Sequence, residues 1–461
     1  MTERPDLVLI MTDQQRFDQV GYESGGYFDT PNVDRLAERG LIFENAYSSS
    51  TTCVPARVSL LTGLQNHRVP TQVNRYALRE GFWTIARALQ HAGYETALIG
   101  KGHFAPIHAQ HGFDTMRLCE HLFRRDLSTR EGESLNEVDD YHTWLREKGL
   151  DDWRAVTPPG GQATSFPYAA ELHPTAWVES EALSFLGRRK RGQPLLLVIS
   201  FPHPHAPYNP PEPYASMYPA DGTALPADDF DVNKRLPAGF LDAMTTRLGR
   251  FGARRVGDDE VEARQALTQI RALIKQIDDA IGRILDRIDL GRSIIFFTSD
   301  HGDYSGHRGM MGKVPWIPFD DLARVPLVVA GQDVIGGRRV PELVQNFDFV
   351  GTCLDYAGME MSGNGFDSRS LRPLLREAGR PEDCDRAVLC ATTMGWPMVR
   401  RGPLKYIVHL LSSPNALFDL ERDPGETVSV LDDPDYRSVA DELSSLLEYE
   451  LARGIPDMPR L

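Results

Sequence analysis

Two acids close apolar runs in this chain. Asp13 ends LVLIMTD and is followed by Gln14, and Asp300 lies in SIIFFTSDHGD and is followed by His301. Two carboxylates, an amide oxygen and an imidazole form a donor set suited to one hard or borderline divalent cation. Taken singly, an Asp or His at a strand end has an ordinary reading as a cap for a turn. Two such pairs, each after a strongly apolar run, favour a metal centre. Basic residues recur in loop-like settings: Lys101 and His103 in GKGH, His203 and His205 in FPHPHAPY, Lys313 in GMMGK. A solvated surface is the usual fate of a lysine, but the glycines around Lys101 and Lys313 suit loops whose backbone approaches a ligand closely. A cysteine stands in TTCVPARVSLLTG, residues 51–63. Pro55 fits the first turn of a helix, which puts Cys53 at the positive end of the helix dipole and Arg57 one turn along. Such a cysteine can be a nucleophile, a ligand or a small buried spacer.

These residues need elements that deliver them to one place. LVLIMTD (7–13), YETALIGKGHF (94–104), PLLLVISF (194–201), SIIFFTSDHGD (293–303) and VPLVVAG (325–331) read as strands. Segments 30–40, 82–93, 174–192 and 258–290 read as helices between them, the first with Thr30 as cap and Pro31 at its first position. This alternation predicts an α/β fold, a large mostly parallel sheet sandwiched by helices. Ligands bind beyond the carboxyl ends of such strands, where Asp13, Lys101, His205 and Asp300 fall. Residues 107–170 and 202–258 read as excursions that cap a site. After about residue 380 the pattern becomes short strands with turn signals and a closing amphipathic helix. Two units are therefore expected, 1–380 as the catalytic domain and 381–461 as a small α+β subdomain with an antiparallel sheet.

The chain of 461 residues is 41% hydrophobic and 25% charged, with a formal net charge of −15. That balance argues against nucleic acid or an anionic membrane as partner. Its five cysteines are odd in number and form no CxxC pair, so neither a disulfide framework nor a structural zinc site is expected. The apolar run behind MTERPD is too short for a signal-peptide core, and the expected setting is cytoplasmic. The sequence leaves oligomeric state open, self-association into a homo-oligomer included.

The stretch around Cys53 reads C-x-P-x-R-x-x-x-x-T-G, through Cys53, Pro55, Arg57, Thr62 and Gly63. A chance match to five fixed positions in a chain of this length is on the order of once in ten thousand. The chain here resembles the type I, formylglycine-dependent sulfatases of the alkaline phosphatase superfamily. Further features follow in that family's order: Asp13, GKGH, PHAP, TSDHGD, Gly312-Lys313, and the late MVRRGPLKYI and LFDLERDPGE. The resemblance covers nearly the whole chain. It implies that Cys53 is a precursor, oxidised to Cα-formylglycine by a formylglycine-generating maturation enzyme. The hydrated aldehyde attacks sulfur, the alcohol leaves, and the remaining hydroxyl lets sulfate depart, which a serine could not achieve.

By the same resemblance, Asp13, Gln14, Cys53, Asp300 and His301 hold one divalent metal ion, and Arg57 orients the nucleophile. His103 is the base, Lys101 binds sulfate oxygens, and His205 and Lys313 contact the sulfate and assist the leaving oxygen. His307 and Arg308, in SGHRGMMGK, are candidate substrate contacts, as is Trp396. Gln14 and His301 stand where many members have a second aspartate and an asparagine, which is nearer the choline-sulfatase and phosphonate monoester hydrolase branch. Ca²⁺ is the first expectation and Mn²⁺ the alternative. The expected substrate is a small-molecule or saccharide sulfate ester. Rival readings are a phosphonate monoester or phosphodiester hydrolase, and a non-catalytic anion-binding relative.

Overall fold

A computed structural model describes residues 4–69, 78, 81–104, 107–120, 139–150, 163–189, 192–226, 230–248, 254–359, 365–376, 386–391, 395–410 and 415–456. The expected unit boundary at 380/381, Cys384, and the parts of the capping excursions at 121–138, 151–162, 227–229 and 249–253 lie outside the described residues.

The main sheet contains β1 (Asp6–Asp13), β2 (Leu41–Tyr47), β3 (Glu95–Gly100), β4 (Thr115–Leu118) and β5 (Leu195–Pro204). A separate two-residue strand, β6 (Arg254–Arg255), pairs with β8 (Met310–Met311). The sheet is completed by β7 (Ser293–Ser299), β9 (Leu327–Gly331) and β10 (Arg338–Gln345), in the order β10-β2-β9-β7-β1-β5-β3-β4. All neighbours run parallel except β9, which is antiparallel to both β2 and β7.

The period-2 rule of a strand explains why these runs are apolar throughout. Leu7, Leu9 and Met11 of β1 enter one core, whereas Val8 and Ile10 enter the other. Ile294 and Phe296 of β7 join the first core, and Ile295 and Phe297 the second. The first core is covered by the helices Ile85–His91 and Asp348–Ala357, the second by Pro31–Arg39, Pro174–Arg188 and Glu260–Leu285. The helix expected over 258–290 thus runs unbroken from Glu260 to Leu285, capped by Asp259, whose side chain accepts from the Glu262 amide.

β2, β4 and β10 were not expected from the sequence. β10, RRVPELVQ, buries only Val340, Val344 and Gln345 and carries an exposed proline, as an edge strand can. β4 is four residues at the opposite edge.

The C-terminal part is the expected antiparallel sheet, β11 (Ala387–Ala391), β12 (Pro397–Arg401), β13 (Leu404–Ile407) and β14 (Ala416–Asp419), with the helix Arg437–Ala452. One face packs on that helix through Leu389, Val399, Leu417, Leu443 and Leu447. The other face packs on Tyr47, Phe319 and Phe240. Trp396 belongs to this second core, 1% exposed and 4.7 Å from the Phe240 ring. It is therefore a packing residue and not the substrate contact expected.

Candidate active site

β7, β1, β5 and β3 are consecutive in the sheet, so Asp300, Asp13, His205 and Lys101 emerge side by side at its carboxyl edge. Between them enters the helix Cys53–Thr62, all ten of whose residues are buried. Thr52 precedes it in extended conformation, and Cys53 is its first residue. The helix ends at Gly63, whose φ is +67° and where a Cβ would lie 2.9 Å from Val350 Cγ1. A glycine is therefore required there by both backbone and space.

Arg57, one turn along, is the hub. Its Nε donates to Asp300 Oδ2 and its Nη2 to Asp13 Oδ2, both at 2.9 Å. Its Nη1 donates to the Lys101 carbonyl at 2.7 Å and to Ser200 Oγ at 2.8 Å. The rigid fork of the guanidinium thereby fixes two carboxylates that would otherwise repel each other. Lys101 Nζ donates to Asp13 Oδ2 as well. Burial and the Cys53 sulfur act to raise the Asp13 pKa, but Lys101, His205 and Arg57 outweigh them and hold it well below the ordinary value. For Asp300, burial and the nearby Asp13 carboxylate win, and its pKa is raised.

The Cys53 sulfur lies 3.2 Å from His301 Nε2, 2.9 Å from Lys313 Nζ and 3.9 Å from Asp13 Oδ1. The thiol is 1% exposed. Burial alone would raise its pKa, yet Lys313, His301 and Lys101 together with a hydrogen bond from His103 push it well below the usual thiol value. The position is thus built to stabilise negative charge. His103 adopts φ +63°, held there as its own amide and that of Gly102 donate to Glu120 Oε1 at 2.7 and 2.8 Å.

The donor set fits a divalent cation. One ligand atom each from Asp13, Cys53, Asp300 and His301 lies within 4.8 Å of the others. His301 Nδ1 is 2.9 Å from the Gly302 carbonyl, which can only accept, so Nδ1 carries the proton and Nε2 keeps the lone pair a metal needs. Gln14 Oε1 is buried and has no hydrogen-bond partner among the described residues. A buried acceptor left in that state is costly unless something else meets it.

Lys101, His103, His301 and Lys313 of the expected set therefore converge on Cys53. His205 donates its backbone amide to the Asp13 carbonyl at 3.0 Å, and its Nδ1 faces the Ala206 carbonyl at 2.8 Å. Arg308 has a different task. Its Nε donates to Asp321 Oδ2 at 3.1 Å, one Nη donates to the Gly425 carbonyl at 2.6 Å, and its plane lies over Phe319. These contacts tie the segment after β7 to the C-terminal part. His307 Nδ1 sits 2.9 Å from Asp321 Oδ1, with a third of its side chain exposed. Ser200, Glu120 and Asp303 were not singled out from the sequence. Asp303 stands inside TSDHGD, so proximity was the one signal for it; Ser200 and Glu120 carried none.

A family model described as Sulfatase matches residues 5–359. An arylsulfatase of Clostridium perfringens is 30% identical across 97% of this chain and 94% of its own length. A choline-sulfatase of Rhizobium meliloti is 29% identical across 94% of this chain and 83% of its own length. Among solved structures, a phosphonate monoester hydrolase of Agrobacterium radiobacter superposes with a TM-score of 0.80 at 24% identity, covering 97% of this chain and 96% of that one. That last likeness speaks to the fold.

Proposed function

The chain belongs to the sulfatase family, and from that premise we propose that it hydrolyses sulfate esters to alcohol and inorganic sulfate, using a formylglycine made from Cys53 and one divalent cation. The observation that carries the reading is the position of Cys53: first residue of a buried helix, with two lysines, two imidazoles and two carboxylates around its sulfur. Asp13, Gln14, Asp300, His301 and the side chain at 53 would hold the cation, Ca²⁺ or Mn²⁺. A cation there supplies Lewis-acid polarisation and makes a bound oxygen easier to deprotonate. Formylglycine supplies a nucleophile that releases sulfate without attack of water on sulfur.

The chain's own groups do the rest. Lys313 Nζ and Lys101 Nζ bring positive charge to the sulfuryl oxygens, stabilising the charge that grows there in the transition state. His103 takes a proton at the side chain of residue 53, and His205 gives one to the departing alcohol oxygen. Arg57 keeps both carboxylates in place throughout. The reading includes a formylglycine-generating enzyme as maturation partner, a small-molecule or saccharide sulfate as substrate, and a cytoplasmic setting. No helix among the described residues is long and apolar enough to cross a membrane.

Gln14 and His301 favour a second reaction at the same site, hydrolysis of phosphonate monoesters and phosphodiesters. Such substrates carry the same single negative charge as a sulfate monoester, so the lysines serve both. The test is peptide mass analysis of residues 51–63 together with sulfate release from an aryl sulfate. The expected result is formylglycine at position 53 and turnover that scales with its occupancy. Full turnover by protein holding unmodified cysteine would overturn the reading.

A further inference from the structure

The metal centre proposed above leaves open what aims the Gln14 side chain. We propose that Asp303 is a positioning residue that locks the Gln14 amide so that its carbonyl oxygen is offered to the cation. The inference rests on that metal-centre reading and concerns the residue that Gln14 itself touches.

The two ends of a glutamine amide differ only in chemistry: the nitrogen donates and the oxygen accepts. Gln14 Nε2 donates to Asp303 Oδ2. An ionised carboxylate cannot donate, so the opposite rotamer of the amide would set oxygen against oxygen. The nitrogen is thus assigned to Asp303 by chemistry, and Oε1 must point away from it. That oxygen is the buried acceptor without a partner.

Asp303 is itself immobilised. Its Oδ1 accepts from the Ser305 amide at 2.6 Å and from Ser305 Oγ at 2.7 Å. Ser305 Oγ accepts in turn from Gln19 Nε2 at 2.9 Å, and Gln19 Oε1 accepts from the Arg16 amide at 3.0 Å. Asp303 is 2% exposed and Gln14 5%. The backbone is held as firmly. Gln14 sits at φ +66° and Ser305 at φ +43°, a region non-glycine residues adopt only when their surroundings demand it. The Gln14 backbone N–H donates to Asp300 Oδ1 at 3.0 Å, tying the same residue to a second proposed ligand. Both ends of Gln14 are therefore fixed by acids of the TSDHGD segment. Outer partners of metal ligands are worth about 10–100-fold in metal affinity elsewhere.

The test reads metal retention in purified holoenzyme, by competition with a chromophoric chelator, beside elemental analysis and a thermal melt. Asp303→Asn frees the amide to turn and should weaken retention by about tenfold or more. Gln14→Glu sets two carboxylates against each other and should also weaken it. The exchanged pair Q14E/D303N restores one carboxylate facing one amide, with unchanged total charge, and should recover retention to near the wild-type level. A purely structural role for Asp303 predicts no recovery, so a pair no better than the weaker single variant overturns the proposal. If Asp303→Asn alone does not fold, the comparison of Gln14→Glu with the pair decides alone. Asp300→Ala separates the two layers. Loss of metal in that variant with full retention in Asp303→Asn sinks the positioning role only, whereas retention of metal in Asp300→Ala sinks the metal centre and the positioning role together.

Discussion

Two of the buried charge clusters among the described residues, the one around Cys53 and one around Lys405, are finished differently. The second joins β2 and the short helix Asp320–Ala323 to the small C-terminal sheet. Asp320 Oδ1 accepts from Tyr47 at 2.7 Å and from Lys405 Nζ at 2.8 Å, and Lys405 also meets Glu426 Oε1 at 2.8 Å. The Asp320 amide donates to Glu426 Oε2 at 2.6 Å, and Arg400 donates to the Tyr47 hydroxyl. Each charge there meets an opposite charge or a fixed dipole of the protein. Around Cys53, by contrast, two lysines, an imidazole lone pair, a thiol and an amide oxygen face one small volume. Both arrangements carry the desolvation penalty of buried ions. One recovers it inside the chain, and the other leaves valences for something the chain does not contain. Burial of charge is therefore by itself no mark of a site; the convergence of donor atoms on one point is the difference here.

The contrast can be broken in steps of decreasing size. Replacing Cys53 by alanine should lower turnover by at least about 10³-fold with the melting temperature nearly unchanged, because the nucleophile is lost and little volume is removed. Activity and melting of the purified variant check this, and substantial turnover would contradict it. Lys101→Ala and Lys313→Ala should each lower kcat by about 10²-fold on aryl sulfates and aryl phosphonates alike, since both lysines face the shared anion. A variant that lost one activity and kept the other would misplace that lysine.

Lys405→Ala should show the reverse signature. It strands Asp320 and Glu426 in a dry setting and should cost about 3–5 kcal/mol of stability, read from denaturant midpoints, with kcat/KM per folded molecule unchanged. The smallest expected effect is in pH. Burial pushes Glu426 up to about 7 despite Lys405, from an ordinary value of 4.5. Between those values the folded state holds more proton than the unfolded one, so this group's contribution to stability falls as pH rises through that window. Asp320 has the opposite sign. Burial alone would raise it, but Lys405 and Arg400 bring it down to about 2, and its stabilisation is lost only as pH falls below the ordinary value towards that point. Glu426→Gln should remove up to about one proton's worth of slope between those two pH values and leave the acid limb intact. An unchanged slope would place the shift elsewhere.

What the sequence revealed follows the same division. Apolar runs that end on an acid showed the strands β1 and β7 and placed Asp13 and Asp300 at their ends, because a strand buried on both faces leaves polar residues nowhere to go but its ends. The C-x-P-x-R spacing showed the helix that carries Cys53, and Gly63 showed where it stops. Lys405, inside LKYI, drew no reading from the sequence, since its partners Asp320 and Glu426 are distant along the chain and no local pattern announces them. Arg308 resembled a substrate contact for the same reason: its proximity to Lys313 was visible, and its contacts with Asp321 and the carbonyl of Gly425 were not. Edge strands such as β10 escaped notice because solvent on one side dilutes the apolar signal. Asp303 was in plain sight but had no role until the orientation of Gln14 was known.

The buried helix beginning at Cys53 also sets a clock. With the thiol 1% exposed and all ten residues of its helix buried, the folded chain does not present this segment at its surface for a modifying enzyme to grip. An unfolding free energy of about 5–15 kcal/mol keeps the chain open in about one molecule in thousands or fewer at any moment. Under the proposed conversion, each copy is therefore converted mainly between synthesis and folding. Copies that fold before conversion can be reached only through those rare openings, and the specific activity of a fresh preparation records how folding and conversion competed at birth.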